Sequence, residues 1–334
     1  MEISVQTKDH NYRVILDRGI LSSASKIIGR NGHVFIISDD GVPVKWRTML
    51  HEQYPDAPMF IFANGETSKN FTTLQSILAA MQEAHLSRKD TVIAFGGGVV
   101  GDMAGFASAI YMRGIHYINI PTTSLSQIDS SIGGKTAIDF NGIKNSIGVF
   151  WQPDLVLADL DTLSTLIPRH YHNGLAEAVK EGLIKDAQLF EIFEKEDWNN
   201  HIEEIIVRCL KIKRDVVEHD EKEMGERKLL NFGHTFGHAY EACFGMNGYY
   251  HGECVGLGMM TVLNDPTIKE RLKKVLERLQ LPTSCRADVQ EVYQRILLDK
   301  KADHNHITIV QVDEVGKGHL EEWNLAQVKE RLGL

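Results

Sequence analysis

Thr91-Val92-Ile93-Ala94-Phe95-Gly96-Gly97-Gly98-Val99-Val100-Gly101-Asp102 is the stretch on which the fold turns. Its first five residues are short, β-rich and almost wholly apolar, which reads as a strand covered on both faces. Gly96, Gly98 and Gly101 then satisfy the G-x-G-x-x-G spelling and open a helical pattern. Glycines let the backbone approach a pyrophosphate, and a helix N-terminus favours its negative charge. The alternative is a tight strand-to-helix turn that binds nothing. The acidic residue expected about 20 positions further on in a Rossmann fingerprint is missing, because residues 116–121 carry no carboxylate. Asp39, at the end of an earlier strand, could take ribose hydroxyls instead.

Outward from this turn, residues 33–38, 59–62, 117–120 and 155–158 read as further strands, with helical patterns over 71–84 and 102–113. Strands alternating with helices predict an α/β fold with a mostly parallel sheet. From Leu175 to Arg295 apolar residues recur at three- and four-residue intervals, the helix period. Residues 307–310 read as a short strand. The shift near Trp151 to Thr165 divides the chain into an α/β nucleotide-binding domain, 1–160, and a mainly α-helical domain, 161–334.

The 334 residues suffice for about two domains. Hydrophobic content of 43% and charged content of 24% are those of an ordinary globular protein. A net charge of -9 argues against a nucleic-acid partner. Cys209, Cys243, Cys254 and Cys285 show no C-x-x-C spacing. The N-terminal residues lack a signal-peptide pattern, and no stretch approaches the roughly 20 apolar residues needed to span a bilayer. The expectation is a cytoplasmic protein with free thiols and no membrane partner.

Chemistry-bearing residues fall into three groups. Gly65-Glu66-Thr67-Ser68-Lys69 is a loop after a strand, where Glu66 and Lys69 either reach a cofactor or are solvated charges. Arg113-Gly114, Pro121-Thr122-Thr123, Asp129 to Lys135 and Lys144-Asn145 could surround a phosphate or carboxylate, or form solvated loops. Glu177, His234, His238 and His251 carry the atom types that a catalytic zinc takes when one position stays open. His234 and His238 share a face if helical. Glu177 and His251 come from other segments, so spacing alone does not make them converge. H-E-x-x-H is absent.

With these blocks together, the chain closely resembles the 3-dehydroquinate synthase family. The matching residues are Gly65-Glu66-x-x-Lys69, Gly96-Gly97-Gly98-x-x-Gly101-Asp102, Arg113-Gly114, Pro121-Thr122-Thr123, Asp129 to Lys135, Lys144-Asn145, Ala176-Glu177-x-x-Lys180, Arg227 to His238, His251-Gly252-Glu253 and Asp299-Lys300-Lys301. The resemblance implies a homodimer that uses NAD and Zn2+ or Co2+. It implies Glu177, His234 and His251 as metal ligands. It places NAD against Asp39, Glu66, Lys69, Gly97, Gly98, Asp102, Thr122, Thr123, Lys144 and Thr165. It gives Asp129, Lys135, Lys180, Glu223 and His238 catalytic roles. Arg113, Asn145, Lys213, Arg227, Asn231 and Lys300 bind substrate, with Arg113 reaching the phosphate from a neighbouring subunit.

The reaction so implied converts 3-deoxy-D-arabino-heptulosonate 7-phosphate to 3-dehydroquinate and phosphate, a step of the shikimate pathway. Oxidising the C5 alcohol acidifies the C6 proton, which permits phosphate elimination; reduction of C5 and an internal aldol closure follow. The metal's part is to polarise the oxygen at C5. Alternative readings are a cyclase for sedoheptulose 7-phosphate or glucose 6-phosphate, a metal-dependent polyol dehydrogenase, or a metabolite-binding regulator. The first substrates lack the carboxylate that Arg227 and Asn231 would meet. The chain departs from the family's pattern at Gly41, where many members carry Asn, at Arg169-His170, where Arg-Glu is common, and in a shortened stretch, 260–281, in which Asn264-Asp265-Pro266 suggests a turn.

Overall fold

A computed structural model describes residues 1–29, 32–245, 248–299 and 306–334. The chain forms two compact units, Met1–Ile167 with Lys213–Glu221, and Pro168–Ile212 with Lys222–Leu334.

In the first unit the strands are β1 (Glu2–Gln6), β2 (Asn11–Asp17), β3 (Val34–Asp39), β4 (Met59–Phe62), β5 (Thr91–Gly96), β6 (His116–Pro121), β7 (Lys135–Phe140), β8 (Ile143–Phe150) and β9 (Leu155–Asp159). Seven of them make one sheet in the order β1-β2-β9-β6-β5-β3-β4. Only β1 runs antiparallel to its neighbour; the other pairings are parallel. The sheet is therefore mostly parallel, as the alternating pattern predicts. Helices α1 (Ala24–Ile28), α2 (Val44–Gln53), α3 (Phe71–Glu83) and α4 (Gly98–Ile110) cover it.

Alternation along the buried strands splits the core in two. Phe35, Ile37, Val92 and Ala94 pack against Leu74, Ile77 and Met81 of α3 and Val100, Met103 and Ala104 of α4. Val34, Ile36, Ile93 and Phe95 point the other way, onto Ala24 of α1 and Trp46 and Leu50 of α2. Every residue of β3 and β5 is buried, which is why their sequences are apolar throughout.

The order of these strands positions the site. From β3 the chain passes through α2 to β4 at one edge, then through α3 back to β5 on the other side of β3. The direction of winding reverses between β3 and β5. In open α/β sheets, ligands bind beyond the carboxyl ends of the strands at such a reversal. Asp39 ends β3 and Gly96 ends β5. A separate hairpin, β7 with β8, follows β6, in a region where the sequence pattern assigns no strand.

The second unit is built on α5 (Pro168–Lys185), α6 (Ala187–Phe193), most of α7 (Ile202–His219), α8 (His234–Phe244), α9 (His251–Val262), α10 (Pro266–Arg278), α11 (Val289–Asp299) and α12 (Leu325–Leu332). A hairpin of β10 (His306–Glu314) and β11 (Lys317–Asn324) joins them. The shortened stretch holds a tight α9-to-α10 connection: Asp265 accepts the Thr267 and Ile268 N–H groups, both at 2.8 Å, and Pro266 starts α10. No described helix is long and apolar enough to cross a membrane.

Candidate nucleotide turn and metal centre

At the β5–α4 turn, Gly97 caps α4 without any side-chain hydrogen bond, and no acidic residue occupies the first turn. The first amides of α4 thus receive no side-chain acceptor from the cap, the arrangement that suits an anion. Space explains the glycines. A Cβ on Gly97 would lie 3.1 Å from Thr123 Cγ2, and one on Gly96 2.5 Å from Val100 Cγ2. Thr122 donates its N–H to the Gly96 carbonyl at 2.9 Å, which draws the end of β6 against the turn. Thr123 shares a 2.8 Å contact with the Ser126 hydroxyl. Asp39 is buried, accepts the Gly41 and Val42 N–H groups at 3.0 and 3.1 Å, and is pushed up by burial despite those bonds. The space above Gly41 is taken by Asn64, whose Nδ2 is 2.1 Å from where a Cβ would sit. Thr165 accepts the Trp46 indole N–H at 2.8 Å.

A charged cluster stands in the same unit. The buried Lys69 ammonium lies 2.6 Å from Asp102 Oδ2 and 3.8 Å from Glu66 Oε1, and donates to Asn145 Oδ1. Lys144 is 3.8 Å from Glu66 Oε1. Burial would lower Lys69, but Asp102 and Glu66 outweigh it and raise it. Burial raises Asp102, against the pull of Lys69. Asp139 accepts the Asn145 N–H at 2.8 Å and donates its own N–H to the Lys69 carbonyl at 2.8 Å. Several carboxylates thus share the Lys69 ammonium, so acceptor capacity remains for hydroxyl groups of a ligand.

The rest of the polar block is more dispersed. Lys213 Nζ donates to Asp129. Lys135 is exposed at the start of β7. Arg113 is exposed in a turn where Met112 and Arg113 both have positive φ, 49° and 66°.

In the second unit, Glu177, His234, His238 and His251 converge, although they come from α5, α8 and α9. A ring nitrogen from each of His234, His238 and His251 lies within 4.8 Å of the others. Glu177 Oε1 is 3.5 Å from His251 Nε2 and 3.8 Å from His234 Nε2, and this buried oxygen has no hydrogen-bond partner. Its other oxygen accepts from Lys180 Nζ, and both side chains are buried. Burial alone would raise Glu177, but Lys180 and the two histidines hold it well below the ordinary carboxylate range.

The outer ring nitrogens are also tied. His234 Nδ1 meets the Phe232 carbonyl at 3.1 Å, which leaves the Nε2 lone pair toward Glu177. His251 Nδ1 faces Glu241 Oε2 at 3.4 Å. Burial keeps His234 well below the ordinary imidazole value. Burial acts the same way on His251, but Glu177 and Glu241 push it up to about 10. A carboxylate behind a metal-facing imidazole fixes the ring and raises its basicity. Glu241 was not singled out from the sequence, yet it stands seven residues after His234, on the same helical face.

Close helix packing brings these groups together. A Cβ on Gly258 would lie 1.9 Å from the Gly233 carbonyl oxygen, and one on Gly252 1.9 Å from that of Asn173. Nearby, Arg227 is a fully buried guanidinium on the turn Glu226–Asn231, and Asn231 Nδ2 donates to Glu223 Oε1 at 2.6 Å. Lys300 lies outside the described residues.

A carboxylate oxygen without a partner, faced by imidazole nitrogens, is the donor set of a divalent transition metal. The glycine cradle and the uncapped helix fit a dinucleotide. Comparison with known proteins agrees in both halves. Residues 59–173 match the family model for the 3-dehydroquinate synthase N-terminal region and residues 174–302 that for its C-terminal region. The chain belongs to the 3-dehydroquinate synthase family. A relative from Clostridium botulinum, named 3-dehydroquinate synthase, is 37% identical over 97% of this chain and 98% of its own length. The fold is similar to that of a 2-deoxy-scyllo-inosose synthase crystallised with carbaglucose-6-phosphate, NAD+ and Co2+, with TM-score 0.90, 25% identity and 99% coverage of both chains. A 2-epi-5-epi-valiolone synthase from Streptomyces hygroscopicus, solved with NAD+ and Zn2+, shares the fold at TM-score 0.88 and 24% identity, covering 98% of this chain and 97% of its own.

Proposed function

We propose that the protein is a 3-dehydroquinate synthase, which converts 3-deoxy-D-arabino-heptulosonate 7-phosphate to 3-dehydroquinate and phosphate. The observation that carries this reading is the match of both halves of the family to consecutive parts of one chain. Bound NAD supplies a hydride acceptor that is restored within each turnover. A bound zinc or cobalt ion supplies Lewis acidity toward the oxygen at C5.

The chain's own residues take the remaining work. Gly97, Gly98 and the first amides of α4 receive the pyrophosphate. Asp39 and the Glu66–Lys69–Asp102 cluster, with Thr122, Thr123, Lys144 and Thr165, orient the rest of the cofactor. Glu177, His234 and His251 hold the metal, and Lys180 keeps Glu177 ionised. Arg227 suits a carboxylate: a buried guanidinium presents two parallel N–H donors. Asn231, Lys213 and Asn145 are further donors to the substrate. Asp129, Glu223, Lys135 and His238 orient hydroxyls or carry protons at its oxygens. The domain reading is an α/β NAD domain of residues 1–160 and a metal and substrate domain of residues 161–334.

A homodimer and a cytoplasmic location belong to the same proposal. Apolar side chains exposed near α4 and on the β7–β8 hairpin support the dimer: Ile110, Met112, Ile143, Val149 and Phe150. Arg113 sits beside this surface, from which it would serve the partner's substrate.

The test is a phosphate-release assay with the heptulosonate phosphate, NAD and Zn2+. Release without net NADH accumulation is expected. Turnover of sedoheptulose 7-phosphate or glucose 6-phosphate in its place, or steady NADH production from a polyol, would overturn the assignment.

A further inference from the structure

Arg169, Asn173 and Glu177 stand at four-residue steps on one face of α5. Glu177 is the proposed metal ligand. The other two hold the first turn of α9, which presents His251. Arg169 donates from Nε to Glu253 Oε1 at 2.7 Å and from NH2 to Glu253 Oε2 at 2.8 Å. The same guanidinium donates to the Gly248 carbonyl at 2.9 Å and lies 4.2 Å over the Tyr250 ring. Glu253 Oε2 accepts the Tyr250 N–H at 2.7 Å, and the Glu253 N–H donates to Asn173 Oδ1 at 3.2 Å. Gly252 lies directly against the Asn173 backbone. His170 stacks on Tyr250 with ring centroids 4.7 Å apart and planes 15° from parallel. The residues on both sides of His251 are therefore tied to α5.

We propose that Arg169 and Glu253 form a clamp that positions His251 against Glu177, so that Arg169 governs metal affinity without touching the metal. The inference rests on the metal reading of Glu177, His234 and His251. The electrostatics favour a rigid pair. An exposed ion pair contributes little; here the Arg169 side chain is half-exposed, but that of Glu253 is only 6% exposed. Removing Arg169 leaves its charge buried without a counter-ion. The first turn of α9 then has to rearrange to hydrate that charge, and His251 moves with it. A fork of two N–H donors fixes orientation as well as distance, which a lysine's single ammonium does not. His170 adds a flat contact on Tyr250.

The experiment uses metal-free full-length protein titrated with Co2+ and followed by calorimetry and by the metal's visible absorption. Wild type is expected to take up one ion with a spectrum of mixed nitrogen and oxygen ligation, and Glu177→Ala to lose it. Arg169→Ala should weaken Co2+ binding by about 10- to 100-fold, the usual effect of a residue behind a ligand, and alter the absorption bands. Arg169→Lys and Glu253→Gln should fall between Arg169→Ala and wild type. Arg271→Ala is the control, because Arg271 makes a similar forked pair with Glu194, both contacts at 2.8 Å, and neither residue lies on α5, α8 or α9, which carry the ligands. It should lower the melting temperature and leave Co2+ affinity unchanged. Equal Co2+ affinity and spectrum in Arg169→Ala and wild type would overturn the clamp alone. So would equal losses of affinity in Arg169→Ala and Arg271→Ala. Absence of Co2+ binding in wild type, or binding unaffected by Glu177→Ala, would overturn the metal reading and the clamp with it.

Discussion

Glu177 and Lys180 show most plainly how chemistry constrains single residues here. Both are buried, and each is the other's counter-charge. Removing one partner of such a pair typically costs about 3–5 kcal/mol, while replacing both by residues of similar volume costs far less. Glu177→Gln should therefore lose the metal and also destabilise the protein strongly. Adding Lys180→Met should recover much of the stability and none of the metal. Zinc content by elemental analysis and denaturant unfolding measure the two effects; additive destabilisation would show that the residues do not act as a pair. Arg227 carries a different prediction. Arg227→Ala should reduce kcat/KM for the heptulosonate phosphate by roughly 10- to 150-fold, which corresponds to the loss of about 1.5–3 kcal/mol of charged hydrogen bonding. NAD affinity should not change. Equal losses for substrate and NAD in calorimetry would remove Arg227 from the carboxylate. Single residues were legible in the sequence where ligand type and spacing coincide, as in His234 and His238. Glu241, Asn173 and Glu253 were not singled out for these roles. Their parts in the site exist only once α5, α8 and α9 are packed.

At the scale of elements, legibility follows burial. Strands β3, β5, β6 and β9 read clearly because nearly all their residues are buried and apolar. Strand β1, at one edge of the sheet, and β2 beside it alternate between buried and exposed residues, so their pattern is diluted by polar side chains. Strand β8 is largely exposed, and Lys144, Asn145 and Ser146 interrupt its apolar residues, which is why the sequence pattern does not reveal the β7–β8 hairpin. Glycines carry the corresponding signal for helix contacts. Gly252→Ala would put a methyl 1.9 Å from a backbone oxygen, and α5 and α9 must separate to admit it. Overpacking of this kind costs about 1–3 kcal/mol or more. A lower melting temperature together with reduced zinc content is expected; a normal metal site in this variant would show that the helix spacing is not critical. Asp90 ties the α3–β5 loop to the start of β3. It accepts the Ser87 N–H and hydroxyl at 2.6 and 2.8 Å and the His33 N–H at 2.8 Å. Burial opposes ionisation, but these bonds lower its pKa overall. Its stabilising contribution is therefore complete above the ordinary carboxylate pKa of about 4 and is lost as pH falls through the lower folded value. Asp90→Asn should cost about 1–3 kcal/mol at neutral pH. It should also flatten the acid limb of the stability curve, a change that thermal melts across that range would detect.

At the scale of the whole molecule, each compact unit has its own core and its own proposed ligand set. The residues proposed to face NAD lie in the first unit and those proposed to hold the metal in the second. A ligand that binds only the folded state stabilises what it touches by RT ln(1 + [L]/Kd), about 2.7 kcal/mol at a hundredfold excess over Kd. Local opening then slows where the ligand's contacts must break first. Hydrogen exchange read by mass spectrometry should accordingly separate the two ligands. Zn2+ alone should protect α5 around Glu177, the start of α8 and the first turn of α9. NAD alone should protect residues 39–42, 64–70 and 96–102, which close the carboxyl ends of β3, β4 and β5. The reversal of winding between β3 and β5 makes this pattern specific. A dinucleotide placed by a conventional fingerprint would find its acidic partner in the segment after β6, about 20 residues beyond the glycines and next to Thr122 and Thr123, and would leave 39–42 unprotected. Protection there without protection at 39–42 would mean that Asp39 does not serve the ribose, and that the glycine turn works with a different acidic partner.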